Sequence, residues 1–273
     1  GHCGDSPLRL DGRLRAGCPW LELTLSVHWH QRHELLRLEV PLAWPAVRWA
    51  ADTSGGVLER PAEVCTERER SRWEVPAIGW MAAMGAPGSA AAGGSAGLAV
   101  LLRGPQGVSA EPARLGVSLL RGPTWPDPSA DNGWQRQTLA LMPCREGWRQ
   151  AGVPAEAIRL REPLWWSPAP AIPAPPAAAT EEPLPGLPPL EPDLQLIALA
   201  PDPEPGVVRL SVQNLGPCRR RLDPGAAWRL LERLDGLFGN ALDGYESAGL
   251  AESVDRIDPW ALAFWRMERL PRP

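Results

Sequence analysis

Apolar and polar residues alternate along much of the chain. In Leu21–Trp29 the apolar positions 21, 23, 25, 27 and 29 alternate with Glu22, Thr24, Ser26 and His28. A period of two predicts a strand with one buried and one wet face. Leu36, Leu38 and Val40 predict a second strand, closed by Pro41. Residues 98–102, 115–120 and 138–142 predict three more. Turn chemistry separates them at Gly55-Gly56, from Gly85 to Gly97, at Gly104-Pro105 and at Pro126-Asp127-Pro128. Short strands with no long amphipathic helix between them predict an all-β, antiparallel β-sandwich rather than an α/β fold.

The composition changes abruptly between Ser167 and Pro192, where ten prolines stand among Ala and Glu. Proline removes ladder donors and holds the backbone extended, so this segment reads as a semi-rigid linker. The expected organisation is therefore a β-sandwich over residues 1–166, a Pro-rich linker over 167–192 and a small C-terminal β domain over 193–273. In that last part, residues 194–199 and 207–212 predict strands, and a final strand over 260–267 starts after Asp258-Pro259. Residues 226–234 suit a helix almost as well as a strand, and 237–249 read as a Gly-rich loop. A chain opening at Gly1 rather than Met is expected to lack strands encoded upstream. Open sheet edges pair promiscuously, so the isolated chain is expected to aggregate or to be only marginally stable.

Bulk properties narrow the function. A net charge of −4 gives no footprint for nucleic acid or an anionic membrane. No run of about 18 apolar residues predicts a membrane span, and no signal peptide is visible. Lysine is absent, which reads as codon bias rather than function. The 14 tryptophans read as packing, with sugar stacking as the alternative. Five cysteines, at positions 3, 18, 65, 144 and 218, include no C-x-x-C pair. Free thiols in a reducing cytoplasm are the simpler reading. All four histidines lie within the first 33 residues, and His28 and His30 share one strand face. No Cys or Asp stands near them at ligand spacing, so they read as surface histidines, not a metal site. No catalytic carboxylate pair is nominated by spacing. The run Glu67-Arg68-Glu69-Arg70 reads as a solvated, self-neutralising surface.

The most specific stretch runs from Leu119 to Trp134, LLRGPTWPDPSADNGW. Its physics is a strand ending in a stiff, charged, tryptophan-lined loop with three prolines. Such a loop can hold Arg121, Asp127 and Asp131 in fixed positions. One reading is a structural Arg–carboxylate brace, and the other is a substrate-facing arginine.

That stretch resembles the L-L-R-x-P-x-x-P-D-P-x-A-D-x-G signature of the carboxyl-terminal domain of glycoside hydrolase family 38, the α-mannosidases. Other segments resemble the same family in the same order: Trp29 to Leu36, Gly56 to Pro61, Trp73 to Ala77 with Trp80, and Leu139 to Pro143 with Trp148. Residues 196–210 resemble its closing region, with Asn214 as that region's Asn. Gln135 and Cys144 depart from the family's pattern, standing where histidine is common.

The resemblance implies a supersandwich-type β-sandwich that is the non-catalytic part of an α-mannosidase. It implies an α-mannoside glycan as substrate and the protein's own N-terminal catalytic barrel as partner. The nucleophile, and the ligands of zinc or another divalent metal, would lie in that barrel and not in this chain. Arg121 is the implied substrate-binding residue, with Asp127 and Asp131 bracing it. The alternative is a stand-alone carbohydrate-binding or structural β module. A homo-oligomer is left open.

Overall fold

The computed structural model describes residues 1–90, 93–162, 190–191, 193–240 and 254–271. It divides into two compact units, Gly1–Glu162 and Pro163–Pro273. The expected linker lies outside the described residues except for Leu190, Glu191 and its edges.

The first unit holds strands β1 (His2–Cys3), β2 (Ser6–Leu14), β3 (Leu21–Trp29), β4 (Leu36–Pro41), β5 (Ala46–Thr53) and β6 (Gly56–Pro61). A short helix, α1 (Glu67–Arg70), is followed by β7 (Val75–Ala77), β8 (Trp80–Pro87), β9 (Ser95–Leu102) and β10 (Gln106–Glu111). Then come β11 (Arg114–Leu120), β12 (Gly133–Pro143) and helix α2 (Val153–Arg161). Every pairing is antiparallel. An eight-stranded sheet has the order β1-β2-β3-β12-β9-β8-β5-β6, and a four-stranded sheet has the order β4-β11-β10-β7.

One apolar layer joins the two sheets. Trp49, Met81, Val100 and Leu139 of the larger sheet pack with Ala77, Val108, Leu115 and Val117 of the smaller. This is the expected sandwich. A second cluster of Val27, Trp29 and Leu120, backed by Leu36 and Leu119, closes one end. Burying one such side chain stabilises the fold by about 1.5–3 kcal/mol.

The strand over Leu21–Trp29 forms as expected, but only part of its apolar face is covered. Val27 and Trp29 are buried, whereas Leu21 is exposed, as is its cross-strand partner Leu14. Four strands do not cover eight, so the apolar face of β2 and β3 runs out past the smaller sheet.

The sequence pattern missed β5 and β8 for a physical reason. Ala50, Ala51, Trp80, Met81, Ala82 and Ala83 are all buried, so period-two alternation vanishes. Met81 and Ala83 face the shared core. On the outer side Trp80 packs on Trp148, with ring centroids 4.8 Å apart. Helix α2 was also not anticipated. Its buried residues Val153, Ala157 and Leu160 follow helical spacing, and Pro154 sits in its first turn. The turn expected at Gly104-Pro105 leads directly into strand β10, which begins at Gln106. Helix α1 is the expected solvated run: it has no buried residue, and Thr66 and Glu69 cap it reciprocally.

The second unit, described by itself, contains β13 (Leu194–Pro201), β14 (Val207–Asn214), β15 (Arg220–Arg221), β16 (Trp228–Leu234), β17 (Arg256–Ile257) and β18 (Leu262–Arg269). A four-stranded sheet has the order β13-β14-β18-β16, with β15 and β17 paired beside it. The ambiguous segment 226–234 resolves as a strand. Residues 241–249 of the expected Gly-rich loop lie outside the described residues.

Two polar centres organise this unit. Asn214 is fully buried; its Nδ2 donates to the carbonyls of Cys218 (2.8 Å), Ile257 (3.3 Å) and Asp258 (3.0 Å). Its Oδ1 accepts from the Gly216 N–H at 2.9 Å. Asp202 accepts from Arg209 at 2.7 Å and from Arg266 at 3.1 Å. Burial alone would raise its pKa; the Glu204 N–H and the two guanidinium groups hold it below the ordinary carboxylate value.

Removing core volume should separate covered from uncovered positions. Leu115→Ala is expected to cost about 2–5 kcal/mol in urea unfolding, and Leu14→Ala under about 0.5 kcal/mol. Equal costs would contradict the shared core.

Candidate functional site

The loop between β11 and β12 carries the three expected site residues. Asp131 fixes its beginning. The Asp131 Oδ2 accepts from the backbone N–H of Arg121 (2.7 Å) and of Gly122 (3.0 Å). Asp131 adopts φ 65°, in the left-handed region that Asp tolerates better than most residues. The Gln135 side chain donates to the Asp131 carbonyl at 3.2 Å.

Gly122 is required where it stands. Its φ is 57°, and an added Cβ would lie 2.4 Å from the Gln31 carbonyl oxygen and 2.9 Å from the Trp29 indole nitrogen. The same contact zips two segments together: the His33 N–H donates to the Gly122 carbonyl at 2.9 Å. The Thr124 hydroxyl lies 3.2 Å from His33 Nε2.

Asp127 acts locally. Its Oδ1 accepts from both the backbone N–H and the hydroxyl of Ser129, each at 2.8 Å. These two bonds hold its carboxyl below the ordinary value. The structure therefore brings Asp131 to the Arg121 backbone and leaves Asp127 at the far side of the loop. Neither carboxylate bonds the Arg121 guanidinium. That side chain is exposed, and no described residue hydrogen-bonds it.

Arg121 and Asp131 stand at the rim of a cleft of about 510 Å³, which Glu74 and Ser118 also line. The Glu74 carboxylate accepts from Arg37 and from the Ser118 hydroxyl. Arg37 in turn donates to Ser109 at 2.7 Å. Spacing gave no hint of this network, because residues 37, 74 and 118 meet only through the pairing of β4, β11, β10 and β7. In chemical terms the cleft offers the free Arg121 guanidinium, the already bonded carboxylates of Glu74 and Asp131, the Gln106 amide and the Ser118 hydroxyl. That set suits binding a polyhydroxylated ligand by hydrogen bonds.

The histidines take separate places. His28 stacks on Trp134, with centroids 4.8 Å apart and planes 14° apart, and meets His30 edge-on at 4.1 Å. His33 serves the loop. Among the described residues no group of three or more His, Cys, Asp or Glu is placed to hold a metal ion. The described residues therefore do not fit a metal centre. No described helix is long and apolar enough to cross a membrane.

Residues 2–129 match the family described as glycosyl hydrolases family 38 C-terminal domain. The chain is similar to Alpha-mannosidase 2C1 of Homo sapiens, 36% identical over 162 residues, which are 59% of this chain and 15% of the human protein. Alpha-mannosidase G of Dictyostelium discoideum is 27% identical over 150 residues, 55% of this chain and 13% of that protein. The chain thus spans about 15% of the length of the first of these relatives. The fold is also that of a solved α-mannosidase from Enterococcus faecalis V583, with a TM-score of 0.62 at 12% identity, covering 95% of this chain and 28% of that one.

The two departures from the family pattern now have positions. Gln135 supports the loop through the Asp131 carbonyl. Cys144 is fully buried against Gly97, and burial pushes its thiol up to about 12. Asn214, in the closing region of the resemblance, is a buried backbone organiser.

The clamp predicts a clean separation. Asp131→Ala is expected to destabilise the domain by about 1–3 kcal/mol, because two N–H donors lose their acceptor. Arg121→Ala should change stability by less than about 0.5 kcal/mol. Thermal and urea unfolding of the two variants checks this, and the reverse order would refute the clamp.

Proposed function

We propose that this chain is the carboxyl-terminal, non-catalytic part of an α-mannosidase that hydrolyses α-mannosidic bonds in glycans. It packs against and completes a catalytic barrel supplied by the same protein. The observation that carries this reading is the 36% identity to human Alpha-mannosidase 2C1 across 162 residues. The nucleophile, the acid and the ligands for zinc or another divalent metal belong to the barrel. The chain's own contribution is Arg121, presented from a clamped backbone at the rim of a cleft. Its guanidinium suits donation to sugar hydroxyls or to charge at the neighbouring cleft. Asp131 positions it and Asp127 stiffens the loop beyond it. Five free cysteines and no disulfide support a reducing, cytoplasmic setting.

A second reading is sugar binding by the isolated domain. It is favoured by the exposed indoles of Trp125 and Trp134, at 84% and 73%, the latter backed by His28. Indole faces stack on sugar rings much as they stack on other rings.

Sequencing the coding region upstream of Gly1, then assaying the encoded protein on 4-nitrophenyl α-mannoside, tests the first reading. The full-length protein should hydrolyse the substrate and lose activity to a chelator, and the present chain alone should be inactive. Arg121→Ala in the full-length enzyme should lower kcat/KM by about 10–100-fold, the scale of one lost charged hydrogen bond. Wild-type kcat/KM in that variant, or a start codon at the boundary, would contradict the proposal. In the latter case, saturable mannoside binding by the chain would favour the second reading.

A further inference from the structure

The first unit has another cleft, separate from the Arg121 rim, of about 660 Å³. It opens where the chain leaves β9 at Arg103 and Gly104 to enter the smaller sheet. Strand β12 pairs with β9 only from Leu139 to Pro143, although it pairs with β3 from Gly133 to Leu141. Residues 136–138 therefore have β3 on one side and, among the described residues, no strand on the other. Their backbone edge and side chains border the cleft.

The lining is strongly basic. Arg13, Arg15, Arg103 and Arg136 border it, against a single carboxylate, Glu22. These arginines come from three separate stretches of sequence, so their convergence is a product of the fold and not of a local run. Arg15 is paired with Glu22 at 3.3 Å. For the side chains of Arg13, Arg103 and Arg136 no described partner exists. Many other arginines of the chain are neutralised: Arg37, Arg114, Arg149, Arg209 and Arg266 all meet carboxylates. In a chain of net charge −4, three unpaired guanidinium groups around one cleft stand out. Their mutual repulsion is relieved by an anion between them.

The rest of the lining is uncharged and hydrogen-bonding. Thr24 and Thr138 face each other at 3.5 Å, and Gln106 donates to Gln137 at 3.4 Å. Guanidinium forks with hydroxyl and amide donors match the oxygens of a phosphate or sulfate. The volume falls in the range of small-molecule sites, larger than the oxyanion alone requires.

We propose that this cleft binds a tetrahedral oxyanion, a phosphate group carried free or on a small sugar. The proposal does not rest on the mannosidase reading, since it invokes neither Arg121 nor catalysis. Calorimetric titration of inorganic phosphate into the intact protein tests it, with ionic strength held constant by sodium chloride so that general screening cancels. One saturable site is expected. The double variant Arg103→Gln/Arg136→Gln should weaken it about tenfold or more, as loss of charge-assisted hydrogen bonds requires. Both arginines are exposed, so the melting temperature in chloride should stay at the wild-type value. Glu22→Gln removes the competing carboxylate and should tighten binding. A hexose 6-phosphate that binds more tightly than phosphate, while the unphosphorylated hexose does not bind, assigns the ligand as a sugar phosphate. Equal affinities assign the free oxyanion. Absence of a saturable heat, or an unchanged Kd in the double variant, overturns the proposal. Should the double variant not fold, weaker or unchanged binding by Glu22→Gln overturns it as well.

Discussion

The first unit depends on one apolar layer shared by two sheets of unequal size. Trp49, Met81, Val100 and Leu139 bury one side of that layer, and Val108, Leu115 and Val117 the other. Because eight strands face four, the layer cannot extend across the whole larger sheet. The proposed sites lie where the cover stops. The exposed Leu14–Leu21 pair, the basic cleft beside β12 and the loop carrying Arg121 all lie at margins of the smaller sheet. The packed centre, in contrast, is made of apolar side chains with no titratable group.

At one of those margins the polypeptide needs an internal device to hold its shape. Asp131 supplies it, by accepting two backbone N–H groups that would otherwise lack partners at the end of β11. Gly122 makes the same turn sterically feasible against Gln31 and Trp29. Strand β3 and the loop are thus interlocked from both directions, since His33 bonds the Gly122 carbonyl and approaches Thr124. An exposed arginine gains value for recognition when its backbone is fixed, because less freedom is lost when the side chain binds.

Much of this was legible in the residues, and the failures have physical causes. Half-covered strands such as β3 announce themselves by alternation, because one face meets water. Doubly buried strands such as β8 do not, since Trp80-Met81-Ala82-Ala83 has no polar face to mark the period. Helix α2 showed helical spacing and an early proline, but at nine residues it spans little more than two turns. The loop from Leu119 to Trp134 was marked out by its prolines and charges. Its wiring was not: the expected pairing of carboxylates with the Arg121 side chain gave way to bonds with its backbone. The Arg37–Glu74–Ser118 network and the arginine cleft were invisible, because their members are distant in sequence and converge only through strand pairing. Family resemblance located the Arg121 loop, and geometry gave its parts their roles.

The most direct test of the clamp is amide hydrogen exchange in the native protein. The N–H groups of Arg121 and Gly122 should exchange about a hundredfold or more slowly than that of Trp125 in the same loop, and Asp131→Asn should narrow the difference. Exchange of all three at the same fast rate would mean that Asp131 does not fix the start of the loop, and Arg121 would lose its defined position.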